Sequence, residues 1–479
     1  MKKKLCVFAY IICTMLCCAA VTGCGAGALW DEIPRDFGLR RETEEEASGD
    51  NDVRVVSLEE VLAVPERGGN GTEEEETPFL MEEVFPYAYE RLSEAEQAWY
   101  EDIEELFGSF GEKTELSESF LDSFAPSEVD DVLDKVFRSV LGDHPEIFYV
   151  DGYSCTKYMR GEEILSIEFS GSYTMDQEAA SGYKEAIEES AEAILIGIGE
   201  EASDYEKVKY VYDTIICSTD YDLDAPDNQN IYSVFVNHRS VCQGYAKAVQ
   251  YLLNRLGVES TLVLGTVYTG EGHAWNLVKV DGDYYYVDAT WGDVSYQVDE
   301  EPEGAVSQED EAGDKAEDKE EDRAEDREED REEDREEDDV EDNAEDNSED
   351  NSGHKAESMP EINYDYLNVT TEELLRTHSV GGVVPMPVCT ATAANYYVVE
   401  GAYFTSYDRE QLKKLFGRAA EKGRSDVNVK CSDVECYQKM CKALIENQEI
   451  FDYIQTGEGG IAYARNEKQL SLTFWVTNE

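Results

Sequence analysis

The chain has 479 residues, 109 Asp and Glu against 40 Lys and Arg, and a formal net charge of -69. That balance excludes nucleic-acid recognition, which rests on neutralising phosphates with Lys and Arg, because no basic stripe follows the first few residues. Thirty Tyr, sixteen Phe and five Trp exclude full disorder, so a substantial core must coexist with segments too charged to fold.

The single long apolar run, Leu5 to Val21, follows Met1 and three lysines. It reads as an export signal, and a multi-span transporter is excluded. Val21-Thr22-Gly23-Cys24 resembles a bacterial lipobox, which implies removal of residues 1–23, diacylation of Cys24 and tethering outside the cytoplasmic membrane. The alternative is an ordinary secretory signal in which Cys24 is incidental. Cys155, Cys217, Cys242, Cys389, Cys431, Cys436 and Cys441 then remain, an odd number that leaves at least one thiol free in an exported protein. Cys431, Cys436 and Cys441 recur every five residues without a CxxC pair, which fits core packing or one disulfide better than zinc. No metal or cofactor is expected.

Residues 24–85 are rich in Glu, Gly, Asn and Thr and read as a solvated acidic tether. An N-terminal α+β region follows over 86–203. Ser93 and Glu96 form a capping box opening a helix, Ser127 opens a second amphipathic helix, HPEIFYV and EEILSIEFSGSYT read as strands, and Asp176 to Ile198 as a third helix. A core follows over 204–298, beginning with a helix from Asp204 to Cys217. Residues 299–358 carry 32 Asp and Glu against seven Lys and Arg, so no core can form there; they read as an acidic low-complexity insertion with a four-residue period, disordered rather than a lone charged helix. Globular signal resumes over 359–479 and closes on helix, strand, helix and the strand LSLTFWV.

The chemistry concentrates in the core. SVCQGYA opens a helix running to Leu256, with Gly257 at its C-terminal cap and Ser240 as the expected N-cap. Cys242 falls in the first turn, where unpaired backbone N–H groups favour thiolate over thiol. TLVLGTVY, HAWNLVKV and DYYYVDAT read as three successive strands, and Asp281-Gly282 between the last two is a type I′ hairpin signal. With that two-residue loop Val280 faces Asp283, His273 faces Thr290 and Trp275 faces Asp288. His273 and Asp288 become diagonal neighbours on one face, roughly 7–8 Å apart by backbone and within reach of an imidazole–carboxylate hydrogen bond. Thiol, imidazole and carboxylate are the parts of a Cys-His-Asp triad. Tyr245, Trp275, Asn276 and Trp291 are candidates for lining its cleft, sheet packing being the alternative. The backbone N–H of Cys242 is the first oxyanion donor to propose. His144, His238, His354 and His378 are scattered singles, expected to be structural or solvated.

VCQGYA, HAWNLVKVDG and VDATW, in that order and spacing, resemble the transglutaminase-like superfamily of cysteine-dependent acyl-transfer enzymes, most clearly over residues 204–292. The resemblance implies an α+β, papain-like fold: a Cys-bearing helix packed on an antiparallel sheet, flanked here by an N-terminal helical region and a C-terminal α/β extension. It implies Cys242 as nucleophile, His273 as general base and Asp288 as the orienting carboxylate. The acidic insertion soon after Asp288 departs from the family pattern and leaves open how the chain closes over the site. The expected function is a peptidase, amidase or transglutaminase acting on protein or peptide, cell-wall peptide included, with the membrane as a further partner through Cys24. The alternatives are a catalytically silent surface module that binds protein or wall peptides, and a lipoprotein whose acidic run is its functional part.

Overall fold

The computed structural model describes residues 40–42, 85–161, 163–199, 201–294, 305–306, 360–454 and 460–477. The export signal, Cys24, His354 and the tetrapeptide period lie outside them. Two short pieces inside the segments read as unstructured are paired: β1 (Arg40–Glu42) runs parallel to β3, and β10 (Ala305–Val306) antiparallel to β14, each strand's range being given below.

The N-terminal region is built on α1 (Glu94–Gly108), β2 (Thr114–Glu115), α2 (Val129–Asp143), β3 (Val150–Arg160), β4 (Glu163–Tyr173) and α3 (Gln177–Leu195). Ser93 and Glu96 close the expected capping box, and Trp99, Ile103, Leu106 and Phe107 of α1 are buried. Asp176 caps α3 by accepting from the Ala179 N–H. Two expectations fail here. Ser127 does not cap α2, because a turn already winds the chain before it, with the Glu128 N–H on the Ala125 carbonyl and Glu128 itself in the αR region. HPEIFYV is not a strand: Pro145 has no N–H to donate, the Ile147 N–H closes a turn on His144, and Ile147, Phe148 and Tyr149 are all buried instead of alternating. The strand begins only at Val150. β1, β3, β4 and β2 form one four-stranded sheet in that order.

The core comprises α4 (Asp204–Ser218), β5 (Asp220–Tyr221), α5 (Ile231–Phe235), β6 (Arg239–Ser240), α6 (Cys242–Arg255), β7 (Ser260–Val267), β8 (Gly272–Val280), β9 (Asp283–Val287) and α7 (Ala289–Gly292). Every α6 residue from Gln243 to Asn254 is buried, so the helix is encased rather than amphipathic. Its polar residues work as ties: Gln250 Nε2 donates to the Gly142 carbonyl at 2.8 Å, and Asn254 Oδ1 accepts from the Ser260 N–H at 3.2 Å. Asn276 Nδ2 of β8 donates to the Ala246 carbonyl at 2.8 Å, pinning the sheet to the helix.

The C-terminal part contains α8 (Thr371–Leu374), β11 (His378–Val380), α9 (Tyr396–Val399), β12 (Tyr403–Phe404), α10 (Arg409–Glu421), β13 (Asp426–Cys431), α11 (Val434–Cys441), β14 (Gly460–Asn466) and β15 (Ser471–Thr477). β10, β14, β15, β13 and β12 form a second sheet. How the chain closes over the core is visible at residue 360 onward. The two flanks of the acidic segment are clamped together: the Val294 N–H donates to the Glu361 carbonyl at 3.2 Å, and the Asn363 N–H to the Gly292 carbonyl at 2.8 Å. The returning chain then finishes both edges of the core sheet. Val369 bridges Tyr286 beside β9, and β11 pairs antiparallel with β7, giving the order β11, β7, β8, β9.

Candidate active site

Cys242 occupies the first position of α6, where helix geometry gives its N–H no intrahelical acceptor. Ser240 does not cap this helix. Its hydroxyl is committed to Ser233 Oγ at 2.6 Å and the Asn228 carbonyl at 2.8 Å, and the cap falls on Val241, which has no side-chain bond to offer. The loop at residues 228–230 presses on this first turn: a Cβ at Gly244 would meet Ser240 Oγ at 2.0 Å and the Asn228 carbonyl at 3.0 Å. The glycine of VCQGYA is thereby a condition for the thiol's position.

β8 and β9 pair in the expected register, from Val280 with Asp283 to Asn276 with Val287, across a turn in which both Asp281 and Gly282 have positive φ. Pairing stops there. Asp288 leaves the strand to become the N-cap of α7, its Oδ1 accepting from the Trp291 N–H at 3.1 Å, so the expected pairings of Trp275 with Asp288 and His273 with Thr290 do not form. The expected contact does form by side chain: His273 Nε2 lies 2.9 Å from Asp288 Oδ2. That leaves Nδ1 of His273 as the ring nitrogen free for the thiol, and Cys242 is near enough to act on the imidazole electrostatically.

His273 and Asp288 are 3% and 1% exposed. Burial by itself would lower the His273 pKa, but the Asp288 charge and hydrogen bond, joined by the nearby Cys242, outweigh it and push the imidazole well above its ordinary range. For Asp288, burial pulls upward and is outweighed by the His273 charge and by hydrogen bonds from His273 and His378. The carboxyl ends below the usual carboxylate range.

The lining candidates separate. Trp291 is half-buried, with its ring 6.1 Å from His273, 4.7 Å from His378 and 6.1 Å from the exposed Tyr268. Trp275 is buried and stacks on His273 at 5.8 Å. Tyr245 and Asn276 do not line a cleft. Both are fully buried, the Tyr245 hydroxyl 2.6 Å from the Thr219 carbonyl and 2.9 Å from Asp293 Oδ2, and Asn276 on the α6 backbone. A parity rule for β8 could have separated Asn276 from His273, since they point to opposite faces.

Among the other histidines, His144 is buried between Glu146 and Glu104 at 2.9 and 3.3 Å, and His238 is exposed at a positive φ. His378 corrects the reading of scattered singles. It is buried on β11, and its Nε2 lies 3.0 Å from the same Asp288 Oδ2 that His273 uses. No local pattern marks it, because β11 is three residues long and reaches the site only by docking on β7. His273, Asp288 and His378 place their ligand atoms within 4.8 Å, a donor set a divalent transition metal can take, although these donors are already matched to one another. All seven cysteines outside the N-terminal segment are free thiols, Cys242 half-buried and Cys389, Cys431 and Cys436 buried.

Residues 192–289 match the profile of the Transglutaminase-like superfamily. This chain therefore carries a transglutaminase-like core within a mixed helix and sheet architecture. It is 27% identical over 106 residues to the kyphoscoliosis peptidase of Mus musculus, a match covering 19% of this chain and 16% of that protein. Among solved structures it is similar to a TGase, at 16% identity and a TM-score of 0.22 over 29% of this chain and 44% of the other. It is also similar to the periplasmic domain of TgpA from Pseudomonas aeruginosa, at 16% identity and a TM-score of 0.18 over 27% and 55%.

Proposed function

We propose that this protein is a lipid-anchored, extracytoplasmic enzyme that acts on amide bonds of proteins or peptides through a Cys242–His273–Asp288 triad. The observation that carries the reading is the buried His273–Asp288 pair, Nε2 to Oδ2 at 2.9 Å, with Cys242 at the start of α6 near enough to act on the same imidazole. The Cys242 thiolate attacks the amide carbonyl, the Cys242 N–H at the helix start receives the developing oxyanion, and His273 gives its proton to the leaving amine. A thioester remains. Water, deprotonated by His273, then attacks it, releasing a carboxylic acid and restoring the thiolate–imidazolium pair; a substrate amine in place of water gives a new amide. Hydrolysis is the preferred outcome. Lipid on Cys24 would hold the site at the outer face of the membrane, and the acidic run would favour neutral or basic partners.

The test is acid quench and intact-mass analysis of the full chain incubated with a peptide mixture, with and without an added primary amine. Acyl adducts on the wild type that are absent from Cys242→Ser establish the thioester, and the products distinguish hydrolysis from transamidation. Peptide bound equally by both proteins, without adduct or product, would leave the binding-module reading in its place.

A further inference from the structure

Asp288 carries one more hydrogen bond than a triad needs. Its Oδ1 takes the Trp291 N–H, and its Oδ2 takes both His273 at 2.9 Å and His378 at 3.0 Å. An ionised carboxylate only accepts, so the Nε2 of a neutral His378 must hold the proton and its Nδ1 must accept. The matching donor is present: Thr377 Oγ1 lies 2.8 Å from that Nδ1. Thr377 Oγ1 in turn is approached by Gln469 Nε2 at 3.5 Å and the Tyr366 hydroxyl at 3.4 Å. Gln469 is fully buried in the turn between β14 and β15, with its Nε2 also on the Glu373 carbonyl at 3.1 Å and its Oε1 facing Lys430 Nζ at 3.4 Å. The Thr377 hydroxyl has one proton and a second acceptor in the Leu374 carbonyl at 3.4 Å; with that proton on the closer His378 Nδ1, one donor order runs from the C-terminal extension to the site.

We propose that His378 is a positioning residue of this active site, locking the Asp288 carboxylate so that Oδ2 stays on His273, with Thr377 and Gln469 fixing its tautomer. The proposal rests on the function proposed above. It explains why β11 is present: three residues at the edge of β7 deliver one imidazole that the core segment at 192–289 does not contain. Without it, Asp288 Oδ2, whose residue is 1% exposed, loses one of its two imidazole donors, and the carboxylate can turn about its last bond.

The experiment is peptide-level mass spectrometry of the full chain treated with limiting iodoacetamide from pH 5 to 9, following Cys242. His378→Leu removes the donor, His378→Gln supplies an amide N–H at similar reach, and His273→Ala runs beside them. The exposed Cys217 serves as reference, and the buried Cys389 and Cys431 report loss of fold. His378→Leu is expected to slow Cys242 labelling at pH 6 by on the order of tenfold and to move its profile to higher pH. His378→Gln is expected within about threefold of wild type. Unchanged rate and profile in His378→Leu, or equal loss in His378→Gln, overturns the proposal. If labelled Cys389 and Cys431 show that His378→Leu unfolds, Thr377→Val decides, with a loss of about threefold expected and no change overturning it. Should His273→Ala slow Cys242 while His378→Leu does not, only this inference fails; should His273→Ala change nothing, the triad itself fails.

Discussion

Replacing Asp288 with Asn changes one atom in a site where all three partners are donors: the Trp291 N–H, His273 Nε2 and His378 Nε2. The amide must turn its NH₂ toward either the helix cap or the two imidazoles, so at least one donor faces a donor. Hydrogen bonds to an ionised partner are worth about 1.5–3 kcal/mol against about 1 for a neutral one. Loss of the charge should therefore withdraw about 1.3 kcal/mol from protonated His273, which at about 1.36 kcal/mol per tenfold lowers its proton affinity roughly tenfold. An NMR pH titration of the histidine imidazoles, in a chain with five His, resolves this directly. The His273 midpoint in Asp288→Asn should fall by about 1 pH unit, and turnover should fall with it. A midpoint that stays within about half a unit of wild type, or rises, would refute the electrostatic role given to Asp288.

His144 is pushed up to about 10, burial opposing and the Glu104 and Glu146 hydrogen bonds and charges prevailing. A raised histidine contributes stability that is fully present below about pH 6.5 and lost as pH climbs through the folded value, so urea midpoints should decline between about pH 6.5 and 10. In His144→Ala that decline should flatten, with a loss of about 3 kcal/mol at neutral pH from the stranded carboxylates. Gly265→Ala would drive a Cβ to 2.2 Å from the Ser379 carbonyl and 2.5 Å from Trp275 Cη2. Calorimetry should show a cost of about 1–3 kcal/mol, and Cys242 labelling should slow because β11 is pushed from β7. Lys430 is buried 3.6 Å from Glu373 and 3.9 Å from Asp365. Lys430→Met should cost about 3 kcal/mol in chemical denaturation, and an unchanged midpoint would show that the carboxylates' own donors suffice.

What the sequence makes legible is what local rules determine. The capping box at Ser93 and Glu96 and the I′ turn at Asp281-Gly282 need only neighbours in the chain, and the turn fixes the β8–β9 register that brings His273 toward Asp288. Asp288 itself shows the limit. Its side chain prefers to cap a short helix, which ends the strand before the expected pairs form, yet the contact survives because the carboxylate stays beside the imidazole. The rest depends on distant packing. Ser240 loses its cap role to Ser233 and Asn228, Tyr245 is drawn inward by Thr219 and Asp293, and His378 acquires its partner only when a strand ninety residues beyond Asp288 docks on β7.

The clamp between Val294 and Glu361 makes the length of the acidic segment nearly irrelevant to the fold. Loop entropy grows only with the logarithm of length, so exchanging residues 295–359 for a five-residue link would recover only about 2 kcal/mol, at the loss of the two-residue β10 edge on β14. The segment can therefore lengthen, shorten or change composition in evolution at little thermodynamic expense. A protease cutting within it would sever the covalent route from Asp288 to His378 but leave the two halves joined: β11 on β7, Val369 on Tyr286, and the buried line from Gln469 to Asp288 would still hold them. The nicked protein should migrate as one particle until denatured, and its two fragments should reassemble when mixed.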